Sequence, residues 1–132
     1  MKALFPHVAE TDGIVVRVSV SYLPDQSEPD RGRWFWAYHI RIENESRATV
    51  QLLTRHWVIT DGRGLRHSVE GEGVVGEQPV IEPGASYDYV SGCPLATPTG
   101  SMQGSYHMRG PGGEGFDVAI PKFGLLAPAV AQ

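Results

Sequence analysis

Cysteine is almost absent from this chain, which has one thiol, Cys93, in 132 residues. A single cysteine excludes an internal disulfide and fits a protein that works in a reducing compartment. The same count excludes a zinc site built from several thiolates. We expect Cys93 to be a small buried hydrophobic residue without a role as a nucleophile.

Lysine and long apolar runs are scarce as well. Two of the eleven basic residues are Lys, and the formal net charge is −4. Because nucleic acids are bound by clustered Lys and Arg, we expect no nucleic-acid partner. No apolar run approaches the ~18 residues of a membrane span, and the N-terminal apolar stretch is too brief and interrupted for a secretion signal. We therefore expect a cytoplasmic protein with no membrane partner.

Helical periodicity is missing too, since no segment of helical length repeats apolar residues at intervals of three and four. Instead, apolar and polar residues alternate, most clearly at residues 14–22 and 34–42, which is the period of a strand with one buried face. Sixteen Gly and ten Pro supply turns between such segments. The sequence predicts a single all-β domain, an immunoglobulin- or fibronectin type III-like β-sandwich of about seven strands, with a barrel as the alternative.

The central segment VQLLTRHWVITD, residues 50–61, has apolar residues at both even- and odd-numbered positions. This pattern is expected of a strand covered on both faces for part of its length. Arg55 and His56 within it require a polar or solvent-facing side, because burying unpaired polar groups is costly. We expect Trp57 to pack in the core and Arg55 to pair with a carboxylate. On a later strand, Tyr106 is a candidate tyrosine corner, and Gly104 marks a place where a neighbouring strand approaches closely.

The stretch GEGVVGEQ, residues 71–78, contains the pattern G-x-G-x-x-G. In dinucleotide-binding proteins these glycines join a strand to a helix whose N-terminal amides hold the pyrophosphate. Here Pro79 and Pro83 prevent a regular helix after the pattern, and neighbouring glutamates would repel phosphate. We interpret the stretch as a tight loop in which Gly71, Gly73 and Gly76 permit positive φ.

No constellation of catalytic or metal-binding residues is visible. The five His do not pair at ligand spacing, and G-x-S-x-G is absent. We therefore expect no enzymatic activity, no cofactor and no preformed metal site.

Several long motifs in order resemble the ApaG family. They are YLPDQSEPDRGRWFWAYHIRIEN, TVQLLTRHWVITDGRG, GEGVVGEQPVIEPG, YVSGCPLATPTGSMQGSY and FDVAIPKF. Thr54 replaces the Ser more usual before Arg-His-Trp. The resemblance implies one ApaG domain over residues 1–132, with a fibronectin-type sandwich, a matching core at about 13–123 and a flexible tail at 124–132.

The same resemblance implies a functional context. Bacterial members are associated with cobalt tolerance and magnesium efflux and have no established enzymatic activity. In eukaryotes the domain occurs in F-box proteins and in a polymerase-δ-interacting protein, where it looks like a protein-binding module. The family's glycine motif falls on Gly71, Gly73 and Gly76 and has prompted nucleotide-binding proposals.

We consider two functions. The first is a non-enzymatic binding module that presents residues 71–78 to a protein partner. The alternative is a weak Mg²⁺- or Co²⁺-dependent sensor of pyrophosphate or dinucleotides, in which Glu72 and Glu77 hold a cation that bridges to phosphate. Pairing of an edge strand with its copy would give a homodimer. The candidate binding residues are Gly71, Glu72, Gly73, Val74, Val75, Gly76, Glu77, Gln78, Arg55 and His56.

Overall fold

The computed structural model describes residues 5–128, which form nine strands. The strands are β1 (His7–Thr11), β2 (Ile14–Tyr22), β3 (Trp34–Asn44), β4 (Val50–Asp61), β5 (Arg66–Glu72), β6 (Val80–Ile81), β7 (Ser86–Leu95), β8 (Thr99–Arg109) and β9 (Gly115–Leu126). Two single-turn 3₁₀ segments, Pro24–Gln26 and Pro29–Arg31, lie between β2 and β3. No helix in the described range is long and apolar enough to cross a membrane.

The strands form two antiparallel sheets packed face to face. One sheet has the order β1-β2-β3-β7, and the other has the order β5-β4-β8-β9, with β6 also paired to β4. The expected all-β sandwich is therefore confirmed, whereas its assignment to the immunoglobulin or fibronectin type stays a prediction. Two strands, β1 and β6, were not predicted from the sequence, because β1 starts just after Pro6 and β6 has only two residues.

The alternation of apolar and polar residues in the sequence correctly predicts which side chains form the core. In β2 and β3 the even-numbered residues face the second sheet, and Ile14, Val16, Ile40 and Ile42 are fully buried. The inner face of β8 supplies Met102, Tyr106 and Met108 from the opposite side. Apolar burial on both inner faces holds the two sheets together.

Strand β4 has apolar residues at both even- and odd-numbered positions. The main reason is a bulge, and not the expected coverage of the strand on both faces. Leu52 pairs with Met108 and Thr54 with His107, so Leu53 is an extra residue, a β-bulge. Before the bulge the even-numbered residues of β4 are buried; after it, Trp57 is 3% exposed and faces the same interior. The bulge changes which parity points inward: the inner face takes even-numbered residues before it and odd-numbered residues after it, while Val58 lies on the outer face.

A second bulge lies in β9. Met102 pairs with Phe123 and Gly104 with Ile120, which leaves two residues of β9, Pro121 and Lys122, opposite one residue of β8. A bulge is a position where a strand tolerates proline, which has no N–H to donate. The strand then continues to Leu126, and Leu125 is fully buried. Residues 124–126 thus belong to the sandwich and not to the expected flexible tail; residues 129–132 of that tail lie outside the described range.

The two lateral sides of the sandwich differ. On one side β1 and β2 pack against β9, and the amide of Ala119 donates a hydrogen bond to Thr11 Oγ1. On the other side β5 and β7 are edge strands of different sheets, and a cleft separates them. One side is closed and the other is open.

The outer face of β2, β3 and β7 carries a row of charges. Glu43 accepts hydrogen bonds from Arg17 and Arg41 at 3.0 and 2.9 Å, and Arg41 also donates to Asp88. Partial burial works to raise the pKa of Glu43, but hydrogen bonds and charge from the two arginines outweigh it and hold the pKa below its ordinary value of 4.5.

The charged row predicts a pH-dependent contribution to stability. Because the pKa of Glu43 is lower in the folded state, its contribution is complete above the ordinary pKa and is lost as pH falls through the folded-state pKa. Glu43→Gln should lower the free energy of unfolding by about 1 kcal/mol or less near neutral pH, and by less near ~pH 3. Urea unfolding at both pH values measures this, with exposed Glu45→Gln as control. An equal loss at both pH values would contradict the assignment.

A strand glycine provides a test of the packing. A Cβ at Gly104 would clash with the backbone carbonyl of His56, whereas a Cβ at Gly124 has no neighbour closer than 3.7 Å. Gly104→Ala should therefore cost about 2 kcal/mol or more, because a backbone contact cannot relax as a side chain can. Gly124→Ala should stay within about 1 kcal/mol of the parent chain. Equal effects of the two substitutions in urea unfolding would count against this register.

Candidate functional site

Residues 73–77, here called the glycine turn, reverse the chain after β5. Val74 and Glu77 exchange two backbone hydrogen bonds, with N···O distances of 2.8 and 2.9 Å. Val75 and Gly76 between them have φ angles of 42° and 82°, and two central residues with positive φ are typical of a type I′ turn. In the described range no helix follows Gly76, so the turn lacks the helix N-terminus on which dinucleotide binding depends.

The three glycines of the pattern have different roles. Gly73 and Gly76 have positive φ, as expected. Gly71 does not, and it lies inside β5, so the expectation of a positive φ at this residue is wrong. A Cβ at Gly71 would lie 2.8 to 2.9 Å from guanidinium atoms of Arg55. Gly71 thus gives room to the arginine side chain that crosses it.

Two adjacent valines in the glycine turn differ in solvent exposure. Val74 is 1% exposed and anchors the turn in the core, whereas Val75 is 58% exposed at the tip. A β-branched residue rarely has positive φ, because its Cβ crowds the backbone. Such strained positions persist only where the surrounding structure holds them, and they cluster at functional sites.

Arg55 is bound differently from the expected ion pair with a carboxylate. Its Nη1 donates to the backbone carbonyls of Glu72 at 3.1 Å and Gly73 at 2.9 Å. No carboxylate within residues 5–128 forms an ion pair with it. The reason is geometric: Arg55 is paired with Gly71 in the sheet, and the nearest acceptors are the carbonyls of the chain that leaves β5.

The open side of the sandwich contains a cleft of about 510 Å³ between β5 and β7, within the size range of small-molecule sites. A second cavity of about 320 Å³ lies toward the glycine turn, and the two share four residues. The shared residues are Tyr38, Arg55, Trp57 and Ser91. The apolar walls of the larger cleft include Ile59, Leu65, Val69, Leu95 and Met102.

Three tyrosines lie between the sheets near Arg55. The hydroxyls of Tyr89 and Tyr106 are 2.6 Å apart, so Tyr106 bonds to a side chain and is not the expected tyrosine corner, whose hydroxyl bonds to backbone. Burial raises the pKa of all three hydroxyls, and for Tyr38 the nearby Ser91 side chain offsets part of this rise in pKa. All three are therefore neutral near pH ~7 and offer hydrogen bonds without charge.

Cys93 lies on the cleft wall but is 2% exposed. Burial raises the pKa of its thiol to about 11. The thiol is therefore protonated at neutral pH, and only a thiolate is an effective nucleophile. The expectation of a buried cysteine is confirmed.

The structure does not bring His56 to the cleft. Adjacent strand residues point to opposite faces, so His56 lies on the outside of the sheet that holds Arg55 on its inside. There its Nε2 is 3.8 Å from Glu70 Oε2.

The other candidates surround the turn. Gln78 Nε2 donates to the carbonyl of Leu53 at 2.9 Å, and Gly73 N–H donates to the same oxygen. The hydroxyl of Tyr87 donates to Glu77 at 3.4 Å, and Glu72 is exposed. Within residues 5–128, no group of three or more His, Cys, Asp or Glu side chains is placed to hold a metal ion.

The cleft residues Tyr38 and Ser91 belong to no motif that would predict a site from the sequence. One signal is present in β7, whose inward residues other than Ser91 are aromatic or apolar: Tyr87, Tyr89, Cys93 and Leu95. A small polar residue on an otherwise apolar face indicates a gap. Arg55, which borders the same cavities, belongs to the other sheet, and sequence spacing does not show that it lies near Ser91.

The strain at Val75 predicts a stabilising substitution. Val75→Asn should raise the free energy of unfolding by about 1 kcal/mol, because Asn tolerates positive φ and Asn-Gly is favoured in type I′ turns. Val80→Asn is the control, since Val80 is 60% exposed without positive φ. Urea unfolding of the three proteins gives the comparison; no gain at Val75 would mean that the turn is unstrained.

Comparison with known proteins matches residues 24–110 to the ApaG domain. The chain is 52% identical over 120 residues to Protein ApaG of Bradyrhizobium sp. (strain ORS 278), which covers 91% of this chain and 92% of the relative. It is 54% identical over 118 residues to Protein ApaG of Rhodospirillum centenum (strain ATCC 51521 / SW), which covers 89% and 91%.

Solved structures agree with these matches. The ApaA protein from Bordetella pertussis superposes with a TM-score of 0.85 at 42% identity, covering 95% of this chain and 100% of that chain. The C-terminal domain of Wzt reaches a TM-score of 0.56 at 11% identity, covering 97% and 83%, and shares the fold alone. The resemblance found in the sequence motifs is confirmed, and the chain belongs to the ApaG family.

Proposed function

We propose that this protein is a non-enzymatic binding module and that a protein partner contacts its turn face, defined as Glu72, Val75, Gly76 and Glu77. The observation that carries the proposal is the exposed valine at the tip, held in a conformation that valine rarely adopts. Exposed apolar side chains on rigid turns are suited to insertion into a pocket of a partner.

The glycine turn is rigid enough for this role. Arg55 binds the two carbonyls that lead into it, Gly73 N–H donates to the Leu53 carbonyl at 2.8 Å, and Val74 is buried in the core. A turn fixed before binding loses little conformational entropy when a partner docks. Affinity can then come from a small contact area.

The charge of the turn face indicates the chemistry of the partner. Glu72 and Glu77 flank Val75, and both are exposed. The complementary surface is an apolar pocket bordered by Lys or Arg, because opposite charges across an interface speed association and fix orientation.

The cobalt and magnesium context of the family fits this proposal indirectly, through a partner protein that handles the ion. The cation-bridged pyrophosphate sensor stays a hypothesis, since no contact of Glu72 or Glu77 favours it. Two-fold pairing through an edge strand also stays a prediction.

The test is capture of partners from extract of the cells in which the protein occurs. Immobilised parent protein should retain one or more proteins from the extract. Recovery of these proteins should fall at least about tenfold with Val75→Asp, and likewise with the double variant Glu72→Lys, Glu77→Lys. Quantitative mass spectrometry measures recovery, and circular dichroism verifies that each variant is folded.

The matched control is Val90→Asp. Val90 is 59% exposed on the outer face of β7, so the substitution adds the same charge at an exposed apolar position outside the turn face. Recovery that falls equally for both Asp variants, or for neither, would contradict a partner contact at the turn face.

A further inference from the structure

The guanidinium of Arg55 has neutral partners inside an accessible cleft. It is half-buried, it borders both cavities, and its described hydrogen bonds go to two backbone carbonyls through one nitrogen. Carbonyl oxygens hold the cation in place without cancelling its charge, and a partly desolvated charge attracts an anion more strongly than one in bulk water. The guanidinium fork matches the two oxygens of a carboxylate.

The surroundings restrict the kind of anion. Arg55 is the one Lys or Arg among the residues that line the two cavities, whereas Asp61 and Glu72 border them. A phosphate or pyrophosphate would bring more negative charge than a single guanidinium neutralises. One guanidinium can pair with a single negative charge, and Asp61 and Glu72 at the borders disfavour any ligand that carries more, so the anion that fits is a monoanion.

The walls of the cleft define the rest of the ligand. Beyond Arg55, apolar side chains from both sheets face the space, with Trp57 and Met102 at its base and Leu65 and Val69 nearer the rim. Apolar lining with a few convergent polar groups is the usual composition of a ligand site. Tyr38 and Ser91 border both cavities together with Arg55, and their hydroxyls can donate to a bound oxygen.

We propose that this cleft is a binding site for a monocarboxylate with an apolar body. The carboxylate binds Arg55 between the two cavities, and the aliphatic or aromatic body occupies the space against Trp57 and Met102. The smaller cavity is bordered by Glu72, Val75 and Gly76 of the turn face, but the larger cleft, which would hold the apolar body, is lined by none of the turn-face residues. The proposal does not rest on the protein-binding function, because Arg55, Trp57 and Met102 lie outside the turn face.

The first test uses 4-phenylbutyrate as the probe, added to isotope-labelled full-length protein during NMR spectroscopy. We expect saturable shifts of the Trp57 indole, Val69 and Ser91 signals with a Kd below about 1 mM. The neutral 4-phenylbutyramide should bind at least about tenfold more weakly, because it lacks the charge. Acetate and Mg²⁺-pyrophosphate should give no saturable shift at these residues.

Variants separate binding from folding. Arg55→Lys keeps the charge but loses the two-pronged geometry and should weaken binding about tenfold or more. Ser91→Phe fills the junction of the cavities and should abolish binding while Arg55 is intact. Val90→Phe, on the opposite face of the same strand, should leave binding unchanged, and circular dichroism verifies the fold of each protein.

A further arm identifies the source of the carboxylate. An N-blocked tetrapeptide that ends in Phe is compared with its C-terminal amide and with 4-phenylbutyrate. Tighter binding of the acid peptide than of phenylbutyrate assigns the site to a protein C-terminus, and the reverse order assigns it to a free acid. The proposal is overturned if amides bind as well as acids, if pyrophosphate saturates the same signals, or if Ser91→Phe binds like the parent.

Discussion

The hydrogen-bond register between β4 and β8 decides which side chains of β4 reach the interior. One extra residue, Leu53, interrupts that register. Before it, Val50 and Leu52 enter the core; after it, Arg55 and Trp57 face the same interior. Both the packing of the second sheet and the position of the Arg55 guanidinium depend on this single inserted residue, because side chains in a strand alternate strictly.

The same residue also fixes the glycine turn. The carbonyl of Leu53 accepts hydrogen bonds from Gly73 N–H and from the Gln78 side chain. Arg55, two residues further, binds the carbonyls of Glu72 and Gly73 from the inside. The cost of placing a charged group between two sheets is offset by these bonds, so the turn and the cleft are parts of one structural arrangement.

The sequence predicts the sandwich well where local patterns of residues determine the structure. Alternation in β2 and β3 identifies the core residues, and the prolines after Gly76 explain why strand–turn–strand replaces strand–turn–helix. The sequence does not predict features that the backbone determines. The bulge has no residue signature in VQLLTRHWVITD. The hydrogen-bond acceptors of Arg55 are backbone carbonyls, which any residue could supply. The positive φ of Val75 opposes the conformational preference of valine. The cleft is formed by Ser91 and Arg55, which belong to different sheets and are far apart in the sequence.

The two bulges have a consequence for how the length of this chain can vary. Because inward and outward positions alternate, loss of one residue within β4 or gain of one within β9 would turn the remainder of that strand inside out, exchanging apolar for polar residues over several positions. A change of two residues would preserve the sidedness of the strand. Length variation is therefore tolerated in the connections, such as residues 23–33, while within these two strands it is restricted to pairs.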